Sequence, residues 1–111
     1  LLLKTSLGIS GIETNEFAWR STKAEKGAQI DLIISRKDGV INLCEMKYTN
    51  KEYSLDADEY EKIQNRMVQF QKETGAKETI HITLICGNGY KQSKYSGIVQ
   101  NLILGDDLFN N

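Results

Sequence analysis

Three charged side chains occupy positions where a buried strand normally carries none: Asp31, Glu45 and Lys47, all within GAQIDLIISRKDGVINLCEMKY, residues Gly27–Tyr48. The run reads as two strongly apolar strands joined by a turn at Lys37-Asp38-Gly39. Glu45 and Lys47 are two residues apart, so strand alternation puts both side chains on one face. Asp31 joins them if the hairpin pairs it with Glu45, which requires a three-residue loop, Lys37 to Gly39, between paired Arg36 and Val40. Loops of that length commonly end in a left-handed residue, a conformation that Gly39 takes without strain. A two-residue Asp38-Gly39 turn would instead set Asp31 opposite Met46 and turn its carboxylate to the other side of the sheet. The first register also sets Gln29 across from Lys47, either as an accessory group or as a strand-end glutamine bonded to solvent.

Two carboxylates meeting at one strand end suit a hard divalent cation such as magnesium, which is usually held by one or two carboxylates together with waters and substrate phosphate. A neighbouring lysine would orient a metal-bound water or neutralise charge developing on a phosphate, which is phosphodiester hydrolysis chemistry. Close carboxylates raise each other's pKa, and Lys47 neutralises only one of them, so a metal or a shared proton is expected. The alternative is a structural Asp–Lys or Glu–Lys pair at a strand end.

The order Asp31, thirteen residues, then Glu45-Met46-Lys47 resembles the core of the PD-(D/E)XK nuclease superfamily, the restriction-endonuclease-like fold. With the later YSGIVQN and DDLF, residues from about Leu7 to Phe109 are similar to the C-terminal nuclease-like domain of a group of prokaryotic AAA-type ATPases. The resemblance implies that Asp31, Glu45 and the main-chain carbonyl of Met46 hold Mg2+ or Mn2+, that Lys47 serves the attacking water, and that DNA is the substrate. It also implies that residues 1–111 are one nuclease-like domain at the C-terminal end of a longer chain whose ATPase portion is absent here. Ile30 stands where the superfamily's name expects proline, which supplies no ligand.

With 111 residues, 40% of them apolar, the chain has material for one core and one domain. A formal net charge of −1 and the lack of a long basic run argue against binding nucleic acid by bulk electrostatics, so any phosphate contact is local. Cys44 and Cys86 lie in apolar, strand-like runs without metal-binding spacing. They read as buried thiols in a reducing compartment, the cytoplasm. No apolar run reaches the roughly 20 residues of a membrane span, and no phosphate-cradling glycine loop occurs.

The elements that must position the three groups follow from periodicity. Leu1–Leu7 reads as a helix stub, Glu13–Ser21 as a strand with Phe17 and Trp19 on one side, and Thr22–Lys26 as a loop. Both hairpin strands are apolar on both faces, as in the middle of a sheet covered on two sides. Leu55–Thr74 reads as a long helix with a stripe of Tyr60, Ile63, Met67 and Phe70, Asp56 and Glu59 as a capping box, and Gly75 as its stop. Lys62 and Arg66 fall off that stripe and read as solvated. Thr79–Cys86 and Ile98–Leu104 complete the strands, with His81 a partly buried, hydrogen-bonded sheet residue rather than a general base, and Gly105–Phe109 forms a terminal turn. The fold class is therefore α/β: a helix stub, three strands, a long helix and two strands around a mixed sheet, in agreement with a restriction-endonuclease-like core. Secondary candidates are Glu13 and Glu16 as an upstream acid, and Lys23, Lys26, Lys91 and Lys94 as nucleic-acid contacts; each also reads as an ordinary surface charge.

Two functions of different class follow. One is metal-dependent hydrolysis of DNA. The other is a nuclease fold kept as a non-catalytic module that binds nucleic acid or protein for the ATPase. Self-association into a homodimer is a third reading, since two sites are needed to cut two strands.

Overall fold

A computed structural model describes residues 2–22 and 28–105. The elements run α1 (Leu2–Ser6), β1 (Thr14–Arg20), β2 (Gln29–Arg36), β3 (Val40–Lys47), α2 (Ala57–Thr74), β4 (Thr79–Cys86), a short 3-10 turn (Ser96–Ile98) and β5 (Val99–Leu104). The loop carrying Lys23 and Lys26 and the expected turn beyond Gly105 lie outside the described residues.

The strands form one sheet in the order β1-β2-β3-β4-β5. The first three pair antiparallel, while β4 runs parallel to β3 and β5 parallel to β4, so the sheet is mixed. A parallel neighbour cannot be reached by a tight turn, and α2 makes the crossover from β3 to β4. Asp56 caps α2 by accepting a hydrogen bond from the Glu59 amide at 2.9 Å, and Gly75 ends it in the left-handed region at φ 67°.

Each face of the sheet has its own core. On one, Ile63 and Phe70 of α2 pack on Ile30, Ile33, Ile41, Leu43 and Ile82. On the other, Leu3 and Ile9 cover Ile34, Cys44, Ile85 and Ile103. Burial of both faces explains the continuous apolar runs in β2, β3 and β4. The second face also contains a polar seam. Asn42, fully buried in β3, donates from Nδ2 to Thr83 Oγ1 at 2.9 Å and to Asn101 Oδ1 at 3.2 Å, and its Oδ1 accepts from Arg36 Nη1 at 3.2 Å. Buried amides are stable only when so satisfied, and this seam ties the register of four strands together.

Around the turn the hairpin has the register the loop chemistry requires. Ser35 pairs with Ile41, Ile34 with Asn42, Ile33 with Leu43 and Leu32 with Cys44. Gly39 sits at φ 87° and donates to the Arg36 carbonyl at 3.3 Å. Among the described residues, no helix is long and apolar enough to cross a membrane.

Candidate functional site

The carboxyl ends of β3, β4 and β5 lie at one end of the sheet, the place where open α/β sheets usually bind ligands. Glu45 and Lys47 project from this end of β3 toward α2. Glu45 Oε1 accepts from Arg66 Nη1 at 3.1 Å, and Lys47 Nζ donates to Glu59 Oε2 at 2.9 Å. Lys62 stands 3.7 Å from the other Glu59 oxygen. The Lys47 ammonium also lies 5.7 Å from the centre of the Tyr53 ring. Two carboxylates and three cations thus share the space between the sheet and the first half of α2.

Burial pushes the Glu45 carboxyl above its ordinary range, against the lowering pull of Arg66 and Lys47. Glu59 is also raised by burial, but the hydrogen bond and charge of Lys47 outweigh this and hold it below its ordinary range. Burial lifts the Cys44 thiol to about 12 and the Cys86 thiol to about 11, which favours the protonated thiol at neutral pH.

Asp31 is elsewhere. Phe17 pairs with Ile33 but Trp19 with Ile30, so two steps along β1 match three along β2, and Asp31 and Leu32 bulge together against Ala18. Ile30 and Ile33 consequently face the same core under α2, where an unbroken strand would turn them apart. Leu32 lies in the opposite core with Ile34 and Met46. Trp19, edge-on to Phe70 of α2, marks the α2 side for its partner Ile30. Their neighbours Arg20 and Gln29 therefore face away from α2, joined by a hydrogen bond from Arg20 Nη2 to Gln29 Oε1 at 2.9 Å. Gln29 Nε2 in turn donates to Asp31 Oδ1 at 2.7 Å, which places the exposed Asp31 carboxylate on that same far side. The bulge thus separates Asp31 from Glu45, although the turn sets the register that would have paired them.

The other expected groups are also dispersed. Gln29 contacts Arg20 and Asp31, not Lys47. The Glu13 carbonyl accepts from the Lys37 amide, which puts Glu13 at the turn end of the hairpin, and exposed Glu16 pairs with Ile34 in the middle of β1. Met46 lies between Glu45 and Lys47 with its side chain against the second core. Lys91 and Lys94 are exposed on the segment after β4. The Lys91 amide donates to the Tyr53 carbonyl at 2.8 Å, so this segment borders the cluster. His81 is partly buried, as expected, but against the expectation of a hydrogen-bonded imidazole its Nδ1 has no hydrogen-bond partner among the described residues.

The test for a divalent ion is whether carboxylates converge. Among the described residues, no three acidic, histidine or cysteine side chains lie close enough together to hold a metal. Glu45 is engaged by Arg66, and Asp31 faces the other side. The arrangement described does not fit a magnesium or manganese ion. A neighbouring cavity of about 260 Å³ is lined by Gly87, Asn88, Gly89, Leu104 and Gly105 and adds no titratable group.

The fold has a solved counterpart. The chain is similar to the crystal structure of AF1548, a protein of unknown function, with a TM-score of 0.61 and 19% identity over 93% of this chain and 53% of that one. At that identity the likeness is one of fold, and this chain spans about half the length of that protein. No family model and no curated protein matches the sequence.

Sequence reasoning missed Glu59 and Arg66 as members of the cluster. Both belong to the stripe Glu59-Ile63-Arg66-Phe70, whose steps of four, three and four run down one side of a helix. Drawn through Tyr60 and Met67, the stripe leaves Arg66 on the solvent side, and Glu59 reads as the acid of a capping box.

Proposed function

We propose that this chain is a nuclease module of the PD-(D/E)XK kind that acts on the phosphodiester backbone of DNA, as the C-terminal part of a larger cytoplasmic ATPase; the Mg2+ or Mn2+ that the resemblance implies would require Asp31 to share a face with Glu45, which it does not in the arrangement described. The observation that carries the reading is that Glu45 and Lys47 emerge side by side from the carboxyl end of β3 in a mixed sheet crossed by α2. Asp31, the third group of the motif, is present in the sequence one bulge away from them. The ATPase, the DNA substrate and the cation come from the family resemblance. Lys47 contributes a cation at 21% side-chain exposure, held by Glu59 in the arrangement described.

A specific observation favours a second reading. Both working groups of β3 are already neutralised by α2, through Arg66 and Glu59, as in a site whose chemistry has been lost. The module would then bind nucleic acid or protein for the ATPase without cutting.

Cleavage of supercoiled plasmid and branched DNA in Mg2+ or Mn2+ decides between them. The nuclease reading expects nicking that is abolished by chelation and reduced at least a hundredfold in Lys47→Ala and Asp31→Ala. Cleavage that survives both substitutions overturns it. DNA retention in a gel-shift assay without nicking favours the binding module.

A further inference from the structure

We propose that the free edge of β1 is an interface for a second copy of this chain: two β1 strands pair antiparallel, with the two-fold axis at Ala18. The inference is independent of the nuclease reading. β1 ends the sheet, with β2 as its one strand neighbour among the described residues. The Glu13 carbonyl and the Ser21 amide both bond inward, to Lys37 and Ala28. The bulge belongs to β2, so β1 alternates without a break between these residues, and the amides and carbonyls of Glu16, Ala18 and Arg20 point out of the sheet. Exposed edges are usually blunted by proline, by lysine or by brevity. β1 is seven residues long, contains neither residue, and leaves Asn15 through Ala18 exposed in succession.

The side chains select the register. A symmetric pairing near the middle of the strand has its axis at Glu16, Phe17 or Ala18. An axis at Glu16 sets two glutamates directly opposite each other, which repels. An axis at Phe17 sets Glu16 against Ala18 and Arg20 against Thr14, without a charge pair. The axis at Ala18 sets Glu16 of each copy opposite Arg20 of the other, and Phe17 opposite Trp19, so opposite charges and aromatic rings meet twice over. The small Ala18 leaves room where the two chains are closest.

Each face of β1 has the groups this pairing uses. On the side away from α2, Arg20 gives Nη2 to Gln29 and keeps its other donors, while Glu16 accepts from Thr14 Oγ1 at 3.1 Å through Oε1 and keeps Oε2. On the α2 side Phe17 is 42% exposed, at a cavity of about 320 Å³ that it lines with Phe70 and Ala76, and the partner's Trp19 would cover its open side. The opposite edge strand, β5, has no charged side chain and offers no such complementarity. Pairing at β1 extends one sheet through both copies and puts both α2 helices on the same side of it.

Sedimentation equilibrium of the chain across the micromolar range tests this, with circular dichroism to confirm that each variant is folded. The unmodified chain should dimerise, Glu16→Arg should weaken the dimer by about tenfold or more, and Glu16→Arg with Arg20→Glu should restore it, because the charges then meet in exchanged order. Oxidation provides a second readout on a mild substitution. At the axis the two Ala18 Cα atoms would stand about 5.5 Å apart, within reach of a disulfide, so Ala18→Cys should cross-link. Glu16→Cys should not, since its counterpart lies four residues away along the partner strand. Cys44 and Cys86 are buried and do not compete. A chain that stays monomeric throughout, or a dimer indifferent to Glu16→Arg, rejects the interface. Failure of the paired reversal to restore the dimer, or of Ala18→Cys to cross-link, rejects the axis at Ala18 and the proposal with it.

Discussion

The two ends of the β2–β3 hairpin obey the same alternation rule with different results. At the turn end, Gly39 fixes the loop, Ser35 through Leu32 pair in strict order with Ile41 through Cys44, and every side chain falls on the face that its position dictates. At the open end, one extra residue in β2 cancels the rule, and Asp31 lies opposite in sequence register to Glu45 yet on the other side of the sheet. Turn chemistry governs a strand only as far as the ladder is unbroken. A site built across a hairpin depends on both.

The comparison is broken most severely in its intact half. Ile33, fully buried in the core under α2, sits at the first regular pair beyond the bulge. Ile33→Ala is expected to cost about 2–5 kcal/mol through lost burial and a residual cavity, measured by urea unfolding. Asn42→Ala leaves the Arg36, Thr83 and Asn101 partners of the seam short of a bond. A loss of about 1–3 kcal/mol is expected in the same assay. Gly39→Ala forces a side chain into the left-handed region and should cost about 1–2 kcal/mol, without altering the fold seen by circular dichroism.

At the open end the expected effect is smaller and of opposite sign. Because burial raises the Glu45 carboxyl in the folded chain, its ionisation opposes folding. Its favourable contribution is complete below the ordinary carboxylate pKa and is lost as pH rises through the raised one. Glu45→Gln should therefore increase the melting temperature modestly at neutral pH, and the difference should vanish below the ordinary carboxylate range. A destabilising effect at pH 7 would show that the Arg66 pair outweighs desolvation.

Much of the fold was legible in the sequence because it rests on local signals. Asp56 and Gly75 mark the ends of α2, Gly39 marks the turn, and Thr79–Cys86 reads as a strand without help from its neighbours. The bulge was not legible, and the reason is physical. Ile30, Leu32, Ile33 and Ile34 are all apolar, so in a sheet covered on both faces either phase of the alternation buries the same kind of side chain. No glycine or proline marks the slip. The partners of Glu45 and Lys47 were hidden for a related reason: an apolar stripe can be drawn through α2 along two adjacent lines, and the ion pairs belong to the line that carries charges at Glu59 and Arg66.

The chemistry of this strand end depends on which groups share an environment with Glu45. Titration of its side-chain carboxyl by carbon-13 nuclear magnetic resonance, without divalent ions, reads this directly. Arg66→Met should raise the Glu45 midpoint by removing a neighbouring cation, and Asp31→Asn should leave the midpoint where it is. A midpoint that falls on Asp31→Asn would mean that the two carboxylates already face each other, contradicting the separation across the sheet.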